Sequence, residues 1–167
     1  MFFPLFLKLE NKKVLIIGGG KVGFRKSRTL KDYGADITLY SEKITEEEIF
    51  KLKDIKIVNR KVEADDTEIR ELVKEYFIVI AATDNKNLNE KISHICMEEG
   101  ILVNNASSKT EMNAMFGAVI SNEEFQVAVS TSGKSCKRSK ALKGRIKTLL
   151  DEIEAMGNKG QKGSEDV

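Results

Sequence analysis

The chain has 167 residues, of which 41% are hydrophobic and 32% charged, and its formal net charge is +2. This length and composition are enough to bury the core of one main domain with a small appendage. Because the positive and negative charges nearly cancel, the composition excludes a strong electrostatic field over the whole molecule, which would favour nucleic acid or membrane as the partner. No stretch approaches the ~18 apolar residues of a membrane-spanning helix. The two cysteines lack a CxxC or His-rich neighbourhood, which indicates reduced thiols in a cytoplasmic protein.

Strand and helix patterns alternate along most of the chain. The N-terminal MFFPLFLKLENKK predicts a short strand rather than a signal peptide, since it lacks a leading positive charge and a cleavage site. The regular alternation that follows predicts an α/β fold, a Rossmann-like, doubly wound parallel sheet with short connections. The predicted strands are 14–18, 35–41, 55–62, 77–83 and 101–107, and the predicted helices are 24–33, 46–53, 65–75 and 85–100.

The pattern changes after the predicted dinucleotide-binding domain, 1–110. Two apolar runs within 116–131 predict an antiparallel hairpin, and a helix follows over 136–156 with an apolar stripe along one face. A hairpin and one helix cannot bury both their faces alone, so we expect 111–156 to form a homodimer contact. The remaining segment, 157–167, is predicted to be disordered.

Gly18, Gly20 and Gly23 form a GxGxxG motif between a predicted strand and a predicted helix. This is the context of the dinucleotide fingerprint: the first glycine permits the tight turn, the second the approach of a pyrophosphate, and the third close packing of helix on strand. We therefore predict that NAD binds these glycines together with Lys21 and Val22 at the helix start. The alternative is a glycine-rich turn without a ligand.

The end of the second predicted strand carries a candidate ribose contact. Glu42 lies about twenty residues beyond the glycine motif, where an acidic residue binds the adenosine ribose and favours NAD over NADP. The neighbouring Ser41 and Lys43 are also predicted cofactor contacts, and both could accommodate a phosphate. An exposed loop glutamate without a ligand explains the pattern equally well.

Polar residues end the fourth and fifth predicted strands, at the sheet edge where ligands bind in open parallel sheets. Thr83 and Asp84 are predicted cofactor contacts, and the Asp84 carboxylate is a candidate base, although the role of helix N-cap is favoured by the local pattern. Asn104 and Ser107 are expected to face the same cleft, with ordinary turn chemistry as the alternative. His94, the only histidine, lies mid-helix and is left out of the site.

The last predicted helix begins with a basic run that contains no acidic residue. Such a run is usually a solvated helix face, but its steep local imbalance in a nearly neutral chain favours an anionic ligand. Nucleic acid is the competing partner, although nothing resembles a recognition-helix pair or an aromatic stacking platform. The run consists of Lys134, Lys137, Arg138, Lys140, Lys143, Arg145 and Lys147.

In their order along the chain, these motifs resemble the precorrin-2 dehydrogenase family, which includes the N-terminal module of siroheme synthases. The shared features are a Pro-x-Phe-x-x-Leu segment before the glycine motif, AATD at the fourth strand, VNNAS at the fifth, and VAVSTSGKS before the basic helix. The resemblance extends over almost all of the chain outside the predicted tail.

The resemblance implies an NAD-dependent oxidation of precorrin-2 to sirohydrochlorin, on the route to sirohaem or cobalamin, by a homodimer. It makes Asp84 and Ser107 the catalytic candidates. Bifunctional members carry an aspartate at the position of Ser107, so metal insertion is not expected, no metal site is predicted, and Asp84 is the favoured carboxylate. The implied contacts to the acidic macrocycle are Asn104, Ser132, Lys134, Ser135, Lys137 and Arg138.

Two alternative functions remain open at this point. One is a bifunctional precorrin-2 dehydrogenase and sirohydrochlorin ferrochelatase, in which Asp84 or His94 assists metal entry. The other is a non-catalytic, NAD-binding regulatory module whose basic helix binds a partner.

Overall fold

The computed structural model describes residues 2–161, without the side chains of Cys136 and residues 157–161. The chain divides into two units, Leu5–Met115 and a second that runs from Phe116 onwards and includes the residues up to Pro4. The strands are β1 Lys13–Gly19, β2 Asp36–Ile44, β3 Ile55–Val58, β4 Ile78–Ala81, β5 Leu102–Asn105, β6 Ala118–Ser121 and β7 Gln126–Val129. The α-helices are α1 Lys21–Asp32, α2 Asp66–Val73, α3 Lys86–Glu98 and α4 Cys136–Gln161, and a 3₁₀ helix covers Glu47–Lys51.

The first unit is built on a five-stranded parallel sheet in the order β3-β2-β1-β4-β5, as the alternating pattern predicts. Leu15 of β1 pairs with Thr38 of β2 on one side and with Val79 of β4 on the other. The chain runs outward from β1 to β3 and then crosses to β4, so the strand order reverses between β1 and β4. In open parallel sheets, ligands bind outside the carboxyl ends of the strands at this switch point.

Apolar side chains from the strands and from α2 and α3 form the main core of this unit. Leu15, Val79 and Val103 from three neighbouring strands pack with Ile69 of α2 and Ile92 of α3, and all five are fully buried. Burying each of these side chains contributes about 1.5–3 kcal/mol relative to leaving it exposed. The core therefore holds the ends of β1, β4 and β5 in a fixed relation.

The predicted N-terminal strand is wrong. No residue from 2 to 12 is assigned to a strand, and Phe3, Leu5 and Phe6 are exposed, whereas Leu9 is buried. A turn with Asn11 at φ 59° then leads into β1. The apolar run indicated a strand, but a strand also needs a neighbour with free backbone groups, and no segment of the described chain supplies one here.

The second unit contains an antiparallel hairpin and a long helix, as predicted. In the hairpin, Ala118 pairs with Val129 and Ser121 with Gln126. Helix α4 continues to Gln161, beyond its predicted end at Met156, and the rest of the predicted disordered tail, 162–167, lies outside the described residues. Among the described residues, no helix combines the length and apolar character needed to cross a membrane.

Candidate functional site

The three glycines of the motif turn the chain from β1 into α1, and they differ in what a side chain would meet. Gly18 has φ +117°, and a Cβ there would lie 2.2 Å from the carbonyl oxygen of Ala82, while a Cβ on Gly23 would lie 1.9 Å from the carbonyl oxygen of Gly18. A Cβ on Gly20 would meet only Thr45 Oγ1, at 3.8 Å. Packing of the chain therefore requires the first and third glycines, whereas the second leaves space for a ligand.

The start of α1 supplies hydrogen-bond donors next to this space. Gly20 is the N-cap residue, no described side chain caps the helix, and the first turn contains no acidic residue. The amides of Lys21 and Val22 have no acceptor within the helix because they belong to its first turn. Free amides at the positive end of a helix dipole bind phosphate groups, so Gly20, Lys21 and Val22 fit the pyrophosphate of NAD.

Ser41 holds the glycine turn in place. Its buried hydroxyl accepts a hydrogen bond from the Gly19 amide at 2.9 Å and donates to the Lys43 carbonyl at 2.6 Å. Strand β2 continues to Ile44, three residues beyond the predicted end, and pairs there with Gly19 after a register shift. The hydroxyl thus already donates to one backbone group and accepts from another. A direct contact from it to the cofactor stays a prediction that this geometry does not support.

The candidate ribose contacts lie on the extension of β2. Glu42 and Lys43 are exposed, and neither side chain forms a hydrogen bond or ion pair with another described residue. Both side chains are accessible to a ligand, and their contacts with NAD stay predictions.

The favoured role of Asp84 as a helix cap is wrong. The N-cap of α3 is Asn85, whose Oδ1 accepts a hydrogen bond from the Leu88 amide at 3.1 Å. Asn85 takes this role because it directly precedes Lys86, the first helical residue. The Asp84 carboxylate is exposed and forms no hydrogen bond or ion pair within the described part of the chain, so it is available as a base.

A buried asparagine that the sequence analysis missed joins the ends of β4 and β5. Asn89 of α3 is fully buried. Its Oδ1 accepts hydrogen bonds from Thr83 N at 3.0 Å and Thr83 Oγ1 at 2.7 Å. Its Nδ2 donates to Thr83 O at 3.0 Å and to Ser107 Oγ at 3.1 Å. The sequence feature that indicates its burial is its position on the stripe of α3 that includes the apolar Leu88 and Ile92.

Ser107 is held on its other side by Asn105. The amide and the hydroxyl of Ser107 both donate to Asn105 Oδ1, at 2.9 and 2.8 Å. Asn105 itself is buried, and its Nδ2 has no hydrogen-bond partner among the residues that the structure describes. The structure thus brings Thr83 and Ser107, two predicted site residues, into one network through Asn89.

Asn104 does not face the cleft, contrary to expectation. Its side chain is buried, and its Nδ2 donates to the Ala114 carbonyl at 2.9 Å. Asn113, in the same loop, binds the backbone at the start of β5. Its Oδ1 accepts a hydrogen bond from Val103 N at 2.7 Å, and its Nδ2 donates to Ile101 O at 2.9 Å. Successive side chains of a strand point to opposite faces of the sheet, and that of Asn104 anchors the loop after β5.

The second unit contains a pocket of about 510 Å³ at the start of α4. Lys134, Ser135 and Arg138 line it, so the structure brings three of the predicted macrocycle contacts onto one concave surface. Ser132 and Lys137 are exposed but do not line it. None of the basic residues of the run forms an ion pair within the described residues, so their charges are available to an anion.

Burial changes the acidity of two groups outside these contacts. It raises the pKa of the Cys96 thiol to about 12 and lowers the pKa of Lys26 to about 8. His94 lies on the exposed side of α3, where its Nε2 is 3.1 Å from Glu111 Oε2. The described residues contain no group of three or more His, Cys, Asp or Glu side chains placed to hold a metal ion.

Comparison with known proteins identifies the family of the chain. A family model described as putative NAD(P)-binding matches residues 5–118. A precorrin-2 dehydrogenase of Bacillus subtilis is 35% identical over 150 residues, which cover 89% of this chain and 88% of that protein. The chain belongs to the precorrin-2 dehydrogenase family.

Two further similarities agree with this membership. The solved structure of SirC, a precorrin-2 dehydrogenase, matches with a TM-score of 0.73 at 25% identity, covering 89% of this chain and 71% of that one. A siroheme synthase of Nitrosococcus oceani is 31% identical over 160 residues, which are 96% of this chain but 33% of that protein. The chain thus spans about a third of the length of the siroheme synthases that it matches.

Proposed function

We propose that this chain oxidises precorrin-2 to sirohydrochlorin with NAD as the electron acceptor. The observation that carries the proposal is the match to the Bacillus subtilis precorrin-2 dehydrogenase, which extends over nearly the full length of both proteins and includes both structural units. A protein that only binds a dinucleotide would need the first unit alone.

The first unit has the features required for the cofactor. The space above Gly20 and the free amides of Lys21 and Val22 accommodate the pyrophosphate, and Thr83 lies at the carboxyl end of the neighbouring strand β4. When bound, NAD accepts the hydride that leaves a saturated carbon of the macrocycle. A proton leaves the macrocycle in the same oxidation, and the free Asp84 carboxylate is the candidate acceptor for it.

The second unit has the features required for an acidic macrocycle. The pocket at the start of α4 carries Lys134 and Arg138 as charged donors and Ser135 as a hydroxyl donor. Arginine and lysine form charge-assisted hydrogen bonds to carboxylates, and precorrin-2 carries carboxylates around its rim. We infer that this pocket binds part of that rim, with Lys137 and Ser132 extending the contact.

We also infer that the enzyme is a cytoplasmic homodimer. Leu142, Leu149 and Ile153 of α4 expose 49%, 54% and 41% of their surface, and Met156 exposes 70%. An apolar stripe of this kind on one helix is typical of a subunit interface. The sequence has two cysteines and no CxxC pattern, which agrees with a reducing compartment.

The test is anaerobic incubation of the full chain with precorrin-2 and NAD, following sirohydrochlorin absorbance and NADH together. We expect both signals to rise in equal amounts. Asp84→Asn keeps the shape of the side chain and removes its basicity, so it should lower kcat at least tenfold. Lys53→Ala is the control for a lost surface charge, because Lys53 is exposed and belongs to neither proposed site, and it should change KM by about twofold at most. Measurable NAD binding without either signal would contradict the proposed activity.

A further inference from the structure

The hydrogen bonds around Asn89 determine where its two amide hydrogens point. The backbone N–H of Thr83 lies 3.0 Å from one terminal atom of the side chain. Since a backbone N–H can only donate, that atom is the oxygen, and the other is the nitrogen. The nitrogen therefore directs one hydrogen to Thr83 O at 3.0 Å and the other to Ser107 Oγ at 3.1 Å.

The same reasoning orients Asn105. The backbone N–H of Ser107 lies 2.9 Å from one terminal atom of the Asn105 side chain, which is therefore the oxygen. The Ser107 hydroxyl lies 2.8 Å from that same oxygen and can only donate to it. Ser107 Oγ thus accepts a hydrogen bond from Asn89 and gives its own hydrogen to Asn105.

Two buried partners favour this direction of the hydroxyl, although Ser107 itself is exposed. Asn89 is 0% exposed and Asn105 is 2% exposed, so both partners are largely shielded from water. If the hydroxyl rotated, the buried Asn105 oxygen would keep only the Ser107 amide as a donor and would lose the second hydrogen bond, which is unfavourable for a buried acceptor. A serine hydroxyl has one hydrogen and two lone pairs, and here only one lone pair is left.

We propose that Asn89 is a positioning residue that fixes the Ser107 hydroxyl as a hydrogen-bond acceptor for an N–H group of a bound ligand. This inference rests on the proposed function and concerns the same site. Ser107 then does not remove the proton of the oxidation, because that role requires a basic atom. It also does not bind a carboxylate of the substrate, because the hydroxyl would have to direct its hydrogen at the carboxylate instead of at Asn105. Two ligands carry suitable N–H groups, the tetrapyrrole through its ring nitrogens and NAD through its carboxamide.

The test compares two substitutions, one of which removes the acceptor and one of which keeps an acceptor. Ser107→Ala removes the acceptor, whereas Ser107→Asp retains one, because a carboxylate at neutral pH accepts and does not donate. Binding of sirohydrochlorin and of NAD is measured separately by fluorescence titration, and NADH formation is followed as well. We expect Ser107→Ala to weaken one of the two ligands about tenfold, the size of one hydrogen bond, and Ser107→Asp to stay within about threefold of the unmodified chain.

Asn89→Asp tests whether Asn89 acts through Ser107. The new carboxylate still accepts from Thr83 but cannot donate to Ser107, so the same ligand should bind more weakly. In the Ser107→Ala background it should add no further loss, which is the signature of two residues that act as one unit. Ser93→Ala is the matched control, because Ser93 is buried one turn later on α3 and its hydroxyl donates only to the Asn89 backbone carbonyl, at 2.8 Å.

Each outcome decides the inference. Weaker binding of sirohydrochlorin or of NAD in Ser107→Ala, retained in Ser107→Asp, supports it and names the ligand. Equal loss in the two folded Ser107 variants, or no loss in either, overturns it. The Ser107 pair decides the matter if thermal unfolding shows that Asn89→Asp does not fold. Ligand binding without NADH formation by the unmodified chain would contradict the proposed function while leaving these binding tests valid, and failure to bind either ligand would overturn both.

Discussion

At the scale of single residues, the space around each glycine separates folding from ligand binding. Gly18 needs its positive φ and Gly23 needs its missing side chain because a carbonyl oxygen lies where each Cβ would be. Gly20 has neither constraint, with φ −86° and an open approach. A glycine motif in a sequence cannot make this distinction, since all three positions carry the same letter.

Gly20→Ala should therefore impair binding without impairing folding. The added methyl group enters the space predicted for the pyrophosphate, so we expect the Kd for NAD to rise about tenfold or more, measured by calorimetric titration. The midpoint of thermal unfolding should fall by only a few degrees, because helix caps lose about 1 kcal/mol at most from this change. Gly23→Ala is the comparison and should unfold at a clearly lower temperature. Unchanged NAD affinity in Gly20→Ala would contradict the assignment.

The buried thiol of Cys96 predicts a pH dependence of stability. Desolvation raises its pKa from 9.0 to about 12 in the folded chain. Between these values the unfolded chain binds fewer protons at this group than the folded chain, so the free energy of unfolding falls as the pH rises. This contribution is fully present below pH 9 and is lost by about pH 12. Urea unfolding of Cys96→Ala at pH 8 and pH 10.5 should show a smaller decrease than the unmodified chain.

At the scale of elements, single side chains decide where strands and helices end. The apolar pattern predicted strands of about seven residues, whereas β4 and β5 have four residues each. The ladder stops where side chains take over the backbone hydrogen bonds, as Asn89 does at Thr83. Periodicity indicates which segments are strands, but such tertiary hydrogen bonds set their ends.

The start of α3 provides a test of this point. Asn85→Ala removes the hydrogen bond to the Leu88 amide and should lower the free energy of unfolding by about 1 kcal/mol. Asp84→Ala, one residue earlier, should change it by less than about 0.5 kcal/mol, because that carboxylate is exposed and caps nothing. Urea titrations of both variants measure the difference. A larger loss in Asp84→Ala would return the capping role to Asp84.

At the scale of the whole molecule, the exposed apolar residues of α4 call for a partner. A homodimer of the 18.7 kDa chain has a mass of about 37 kDa, twice that of one chain, and we expect this value from light scattering at micromolar concentration. Leu149→Glu places a charge in the apolar stripe and should give the monomer mass. Lys147→Ala on the same helix is the control and should remain dimeric. A monomeric mass for the unmodified chain would remove the proposed interface.

Local sequence patterns were sufficient for the α/β class, the glycine turn and the hairpin with its helix. Alternating periodicity and a motif between strand and helix depend only on residues close to one another along the chain, so they can be read from the sequence alone. The N-terminal strand was predicted wrongly for the same reason, since an apolar run says nothing about a neighbour with which to pair. The sequence showed the basic pocket only as a run of charged residues. These residues line one concave surface only because α4 packs on the hairpin, and this packing is a tertiary contact.

The tertiary structure decided what the polar residues at the sheet edge do. Ser41, Asn104 and Ser107 follow strands in similar ways, yet the first holds the glycine turn, the second anchors a loop, and the third is held in place by Asn89. The partners that assign these roles, Gly19, Ala114 and Asn89, lie 10 to 22 residues away along the chain. A side chain with one hydrogen and two lone pairs takes its direction from such partners, and only folding brings them within 3 Å or so of one another.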